Sequence, residues 1–90
     1  MDFIRELSDV KVTQLPTNVT FECEVSKPHL PSQWFKDDAP IRRGDRLAME
    51  TERRIHRLII KDVEGVDEAD YSVLVKNSSS KANLSICGKL

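Results

Sequence analysis

Val19-Thr20-Phe21-Glu22-Cys23-Glu24-Val25 alternates apolar and polar residues without a break. Successive side chains of a β-strand point to opposite faces, so Val19, Phe21, Cys23 and Val25 share one face while Thr20, Glu22 and Glu24 share the other. That run is a half-buried strand. Downstream, Pro28 and Pro31 break the chain before Ser32-Gln33-Trp34-Phe35-Lys36, a second strand with Trp34 as its large inward residue. Asp37, Asp38 and Pro40 make a turn.

Arg46 to Thr51 forms a short strand with Leu47 and Met49 on one face. Ile55 to Lys61 forms another with His56, Leu58 and Ile60 on one face, after the charged turn Glu52-Arg53-Arg54. From Ala69 to Val75 the inward set is Ala69, Tyr71, Val73 and Val75. Asn77 to Ser80 is a polar turn, and the last strand points Ala82, Leu84 and Ile86 inward and Asn83, Ser85 and Cys87 outward. Near the start, Phe3 to Leu7 and Val10 to Thr13 read as one strand split at Ser8-Asp9. Short strands punctuated by turns predict an all-β sandwich.

Ninety residues with 39% hydrophobic content provide for one small core, expected to span residues 3–88 of a single 1–90 domain. The 14 basic and 15 acidic residues are interspersed, which gives no footprint for nucleic acid or an anionic membrane. Apolar runs such as Leu58-Ile59-Ile60 are far too short to span a bilayer as a helix, and the N-terminus has no charged and apolar targeting pattern. Two cysteines and two histidines match no zinc, redox or triad spacing, so no catalytic residue, metal or cofactor is expected.

Cys23, Trp34 eleven residues later, Leu58-x-Ile60-x-Asp62 and Asp67-x-Ala69-x-Tyr71 occur in an order and spacing that resembles the intermediate-set immunoglobulin domain. That resemblance implies a sandwich of two antiparallel Greek-key sheets with Cys23, Trp34, Leu58, Ile60, Tyr71 and Val73 in its core. It also implies that Tyr71 returns its hydroxyl to nearby backbone, pinning a connection between the sheets, and that Asp67 pairs with Arg46. In domains with an inter-sheet disulfide the second cysteine lies two residues after that tyrosine, where this chain has Val73. Cys87 does not replace it, because its parity is outward while Cys23 points inward. A small domain without that bridge fits a reducing compartment, and the cytoplasm is expected.

Phe21 to Ser26, Trp34 to Asp37 and His56 to Asp62 are especially similar to the modules of giant muscle proteins such as titin, obscurin and twitchin. The resemblance implies a non-enzymatic structural module of a sarcomeric or cytoskeletal protein, serving as spacer, elastic element or docking face. Its partners would be neighbouring immunoglobulin or fibronectin-type modules or sarcomeric ligands, and the isolated module would be monomeric.

Several short motifs compete with that reading. Arg43-Gly44-Asp45 matches an integrin-binding tripeptide and would suit an extracellular adhesion domain, but it also reads as a turn in which Gly44 supplies backbone freedom. Asn18, Asn77 and Asn83 begin glycosylation patterns that matter only in a secretory protein. Asp67-Glu68-Ala69-Asp70 spells a helicase-like tetrad without any phosphate-binding loop. A more informative surface feature is apolar residues on outward parity: Phe35 and Leu74 lie on strands that neighbour each other in this fold, and Cys87 extends the expected docking face.

Overall fold

The computed structural model describes residues 1–87; the end of the expected domain, residues 88–90, lies outside the described residues. Nine strands follow in chain order: β1 (Phe3–Arg5), β2 (Val10–Val12), β3 (Val19–Val25), β4 (Ser32–Lys36), β5 (Ala39–Pro40), β6 (Leu47–Glu52), β7 (Ile55–Ile60), β8 (Ala69–Val75) and β9 (Ser78–Ile86). They form a four-stranded sheet in the order β1-β3-β7-β6 and a five-stranded sheet in the order β2-β9-β8-β4-β5. The molecule is elongated, 41 × 23 × 21 Å.

Parity decides which residues meet between the sheets. β3 buries Val19, Phe21, Cys23 and Val25; β7 adds Leu58 and Ile60; β4 adds Trp34; β8 adds Tyr71, Val73 and Val75; and β9 adds Ala82 and Leu84. Across the second sheet Trp34 stands directly opposite Val73, and the Phe21 and Tyr71 rings lie 5.1 Å apart between the sheets. Aromatic pairs at that separation add to what their buried area contributes.

Three connections differ from the sequence expectation. Pro40, expected in the turn with Asp37 and Asp38, lies in β5 opposite Phe35. The polar stretch Asn77 to Ser80 is not a turn throughout: β8 and β9 reverse at Lys76–Asn77, and Ser80 already lies inside β9 opposite Val73. Ser80 is buried and its Oγ accepts the Leu7 N–H at 3.0 Å, which satisfies a hydroxyl where parity demands an inward residue. The first strand is divided between sheets: β1 runs antiparallel to β3, whereas β2 runs parallel to β9 with Val10, Lys11 and Val12 beside Leu84, Ser85 and Ile86.

One polar core residue has a pH consequence. His56 stands between Cys23 on β3 and Thr51 on β6, fully buried, with Nδ1 3.2 Å from Thr51 Oγ1 and Nε2 without a hydrogen-bond partner among the described residues. Burial disfavours the imidazolium and holds its pKa below the ordinary 6.5. As pH falls through 6.5 the unfolded chain gains a proton that the folded chain refuses. Stability is therefore full above that pH and declines below it. Urea denaturation between about pH 7 and pH 5.5 should show this loss, and His56→Leu should flatten the slope over that window. An unchanged slope in the variant would remove His56 as its source.

Candidate functional site

The connection from β7 to β8 is held by one carboxylate. Gly65–Asp67 forms a single 3-10 turn that buries Asp67 to 4% exposure. Arg46, just before β6, donates from Nη1 to Asp67 Oδ2 at 2.8 Å and from Nη2 to Oδ1 at 3.3 Å. The same Nη1 also reaches the Lys61 and Asp62 carbonyls. The Glu64 N–H donates to Asp67 Oδ2 at 2.8 Å. Burial pushes this carboxyl up, but the Arg46 guanidinium and the Glu64 N–H outweigh it and hold the pKa below 3.8.

The backbone oxygen of the same aspartate accepts the Tyr71 hydroxyl at 2.6 Å. Burial, followed by the Asp67 carboxylate, pushes that phenol up to about 12. The helicase-like tetrad resolves into structural contacts: Asp67 as described, Glu68 accepting the Ile86 N–H, Ala69 opening β8, and Asp70 accepting the Asn83 amide. Two of the glycosylation asparagines are likewise tied down. Asn18 accepts the Asp62 N–H at 3.0 Å, and Asn83 donates to the Ala69 carbonyl and Asp70.

The outer faces of the two sheets differ in chemistry. On the first sheet Arg5 and Arg57 both grip Glu22, Arg57 also reaches Glu52 at 3.2 Å and Glu50 at 3.9 Å, and Arg54 meets Glu24 at 2.9 Å. These partly exposed pairs are individually weak, but they give each of the three arginines and four glutamates a partner. On the second sheet Pro40, Phe35, Ser72 and Lys81 form one row across the strands, and Gln33, Leu74 and Ser79 form the next. Leu74 is 36% exposed and Phe35 half-buried. Pro31, Ser32, Gln33, Leu74 and Lys76 line a shallow, mostly apolar groove of about 380 Å³ beside them.

Phe35 and Leu74 thus share one outward face on adjacent strands. Cys87 does not join them. Leu74 pairs with Ser79, and Cys87 lies eight residues farther along beyond the end of β9, about 26 Å away at ~3.3 Å per residue. Outward parity alone says nothing about position along a strand. Pro31, just before β4, and Pro40, opposite Phe35 in β5, complete the apolar patch.

Both cysteines are free: Cys87 is exposed, and Cys23 is buried with its thiol pushed up to about 11 by burial. Arg43-Gly44-Asp45 lies exposed between β5 and β6, where the Gly44 N–H donates to the Leu47 carbonyl and the Leu47 N–H to the Gly44 carbonyl. The expected glycine requirement is absent. A β-carbon at position 44 would meet only open space, and the Gly44 backbone avoids the left-handed region.

The profile of the immunoglobulin I-set domain matches residues 1–87. The chain belongs to the immunoglobulin I-set family. Muscle M-line assembly protein unc-89 of Caenorhabditis elegans is 35% identical over 82 residues, covering 90% of this chain and 1% of that protein. Fast-type myosin-binding protein C of Mus musculus is 29% identical over 72 residues, covering 80% of this chain and 6% of that protein. The chain therefore corresponds to a small fraction of the length of these relatives. Among solved structures, domain I10 from titin superposes with a TM-score of 0.89 at 26% identity, covering 96% of this chain and 97% of that one. The relatives are muscle proteins, and the I-set sandwich expected from the sequence is the fold observed.

Removing the Tyr71 hydroxyl leaves the Asp67 carbonyl without its buried donor. Tyr71→Phe should lower stability by about 1–2 kcal/mol in chemical denaturation without altering the far-ultraviolet spectrum.

Proposed function

We propose that residues 1–90 form one module of a larger muscle protein, located in the cytoplasm at the sarcomere or cytoskeleton. There it bears tension and spaces its neighbours, with no catalytic step of its own. The observation that carries this reading is the parallel pairing of β2 with β9, closed by the Cys87 N–H donating to the Val12 carbonyl at 2.8 Å. β1 enters at the end of the molecule where Ser26 bonds Asp2, and β9 leaves at the other end, beside Glu68. Tension between the ends loads the β2–β9 hydrogen bonds together, in shear. The free thiols, with Val73 at the position a second bridging cysteine would take, support a reducing compartment.

Val10 shares the parity of Val12 toward β9. Val10→Pro removes a donor from an edge strand, so it should lower the force of unfolding in single-molecule pulling more than it lowers chemical stability, which should fall by only about 1 kcal/mol. An unchanged unfolding force would reject the mechanical role.

The second part of the proposal is docking on the outer face of the β4–β8 pair, supported by exposed Leu74 and half-buried Phe35 beside the apolar groove. The double variant Phe35→Glu with Leu74→Lys should melt within a few degrees of wild type yet lose a partner retained by wild type from muscle extract. Equal retention by both proteins would move the docking site elsewhere.

A further inference from the structure

The reversals at the two ends of the molecule carry opposite charge. At the end where β1 begins, the connection from β3 to β4 holds Lys27, the β6–β7 turn holds Arg53 and Arg54, and the β8–β9 turn holds Lys76. The Val25 N–H to Arg54 carbonyl and Ser26 N–H to Asp2 carbonyl bonds gather these segments at one pole. Arg54 is committed to Glu24, whereas Lys27, Arg53 and Lys76 have no ion-pair partner among the described residues. At the opposite pole the β4–β5 turn holds Asp37 and Asp38, and the β7–β8 connection holds Asp62, Glu64, Asp67 and Glu68 against the single cation Lys61. There Arg46 is taken up by Asp67 and Glu64, Lys36 is bonded to the Val66 carbonyl, and Lys81 stands 3.8 Å from Asp38, which leaves Asp37 and Asp62 without an ion-pair partner among the described residues.

A net charge of −1 therefore conceals a charge separation along a 41 Å axis. Backbone conformation sharpens the contrast. Arg53 and Lys76 at the basic pole, and Asp37, Asp38 and Asp62 at the acidic pole, all adopt positive φ. Glycine would hold that conformation without steric cost, whereas for an L-residue it is disfavoured. The basic pole also has a shape: Met1, Lys27, Pro28, Leu30, Lys76 and Asn77 are among the residues lining a groove of about 290 Å³.

We propose that the basic pole is a docking surface for the acidic pole of another module of this fold, a second copy of this chain included. The contact is heterologous: each molecule that uses its basic pole leaves its acidic pole free, so association extends in an open series and forms no closed dimer. Modules joined in one chain would meet in this same sense. The sheet-face docking proposed above shares Lys76, which lines both grooves, but is centred on Phe35 and Leu74, so the two fail separately.

The test is an NMR titration of isotopically labelled chain with unlabelled chain at low and high salt. The expected affinity is weak, about millimolar, and should fall about tenfold as salt rises from roughly 20 to 200 mM. Shifts should concentrate at Lys27–Leu30, Arg53–Arg54 and Lys76–Ser78, and at Asp37–Asp38 and Asp62–Glu68. Labelled Lys27→Glu/Lys76→Glu chain titrated with wild type should keep the shifts at its acidic pole and lose those at its basic pole. That one-sided loss separates a lost surface from a lost fold. Absent shifts, salt-independent shifts, or shifts centred on Phe35 and Leu74 would each overturn the proposal.

Discussion

The Asp67 carboxylate is the constraint on which the two-sheet arrangement depends. It is buried and ionised, so each of its oxygens must be bonded, and the donors come from the lead-in to β6 and from the start of its own turn. Its backbone oxygen meanwhile fixes Tyr71 at the start of β8, in the other sheet. A single residue thereby sets where the first sheet ends and where the second resumes. The surrounding apolar contacts can then close in one register, because a slip of one residue would turn Tyr71, Val73 and Val75 toward solvent.

This division of labour explains what was legible in the sequence. β3, β4, β7 and β8 are read directly because one face of each is buried, so the period of two is written into their residue types. The first strand and the last turn were less legible. β1 and β2 are three residues each and belong to different sheets, and nothing in so short a run says which partner it will take. Ser80 is polar and looks like turn chemistry, yet its hydroxyl is satisfied indoors by the Leu7 N–H. Phe35 and Leu74 were readable as outward residues; that Pro40 stands opposite Phe35, and how far Cys87 lies from Leu74, depend on strand register, which the alternation of residue types does not record.

The outer surfaces divide the same way. Arginine and glutamate pairs cover the first sheet, while the second presents Gln33, Ser72 and Ser79, with Lys76 and Lys81 at the margin, around an apolar centre. A surface whose charges are already paired gains little by exchanging them for a partner's, whereas exposed apolar area gains on burial. The asymmetry between faces supports placing contacts on the second sheet, and the asymmetry between poles concerns contacts along the long axis.

The glutamates of β6 and the proline of β5 have one more consequence. Both strands are sheet edges, with main-chain groups open to any other strand that arrives. β6 carries Glu50 and Glu52 within reach of Arg57, and β5 is only two residues long and ends in Pro40. Charge and proline are what natural sheets place on edges to discourage intermolecular strand pairing. In a chain where similar modules sit next to one another at high local concentration, the main hazard during refolding is pairing with the wrong neighbour. These few residues guard against that aggregation.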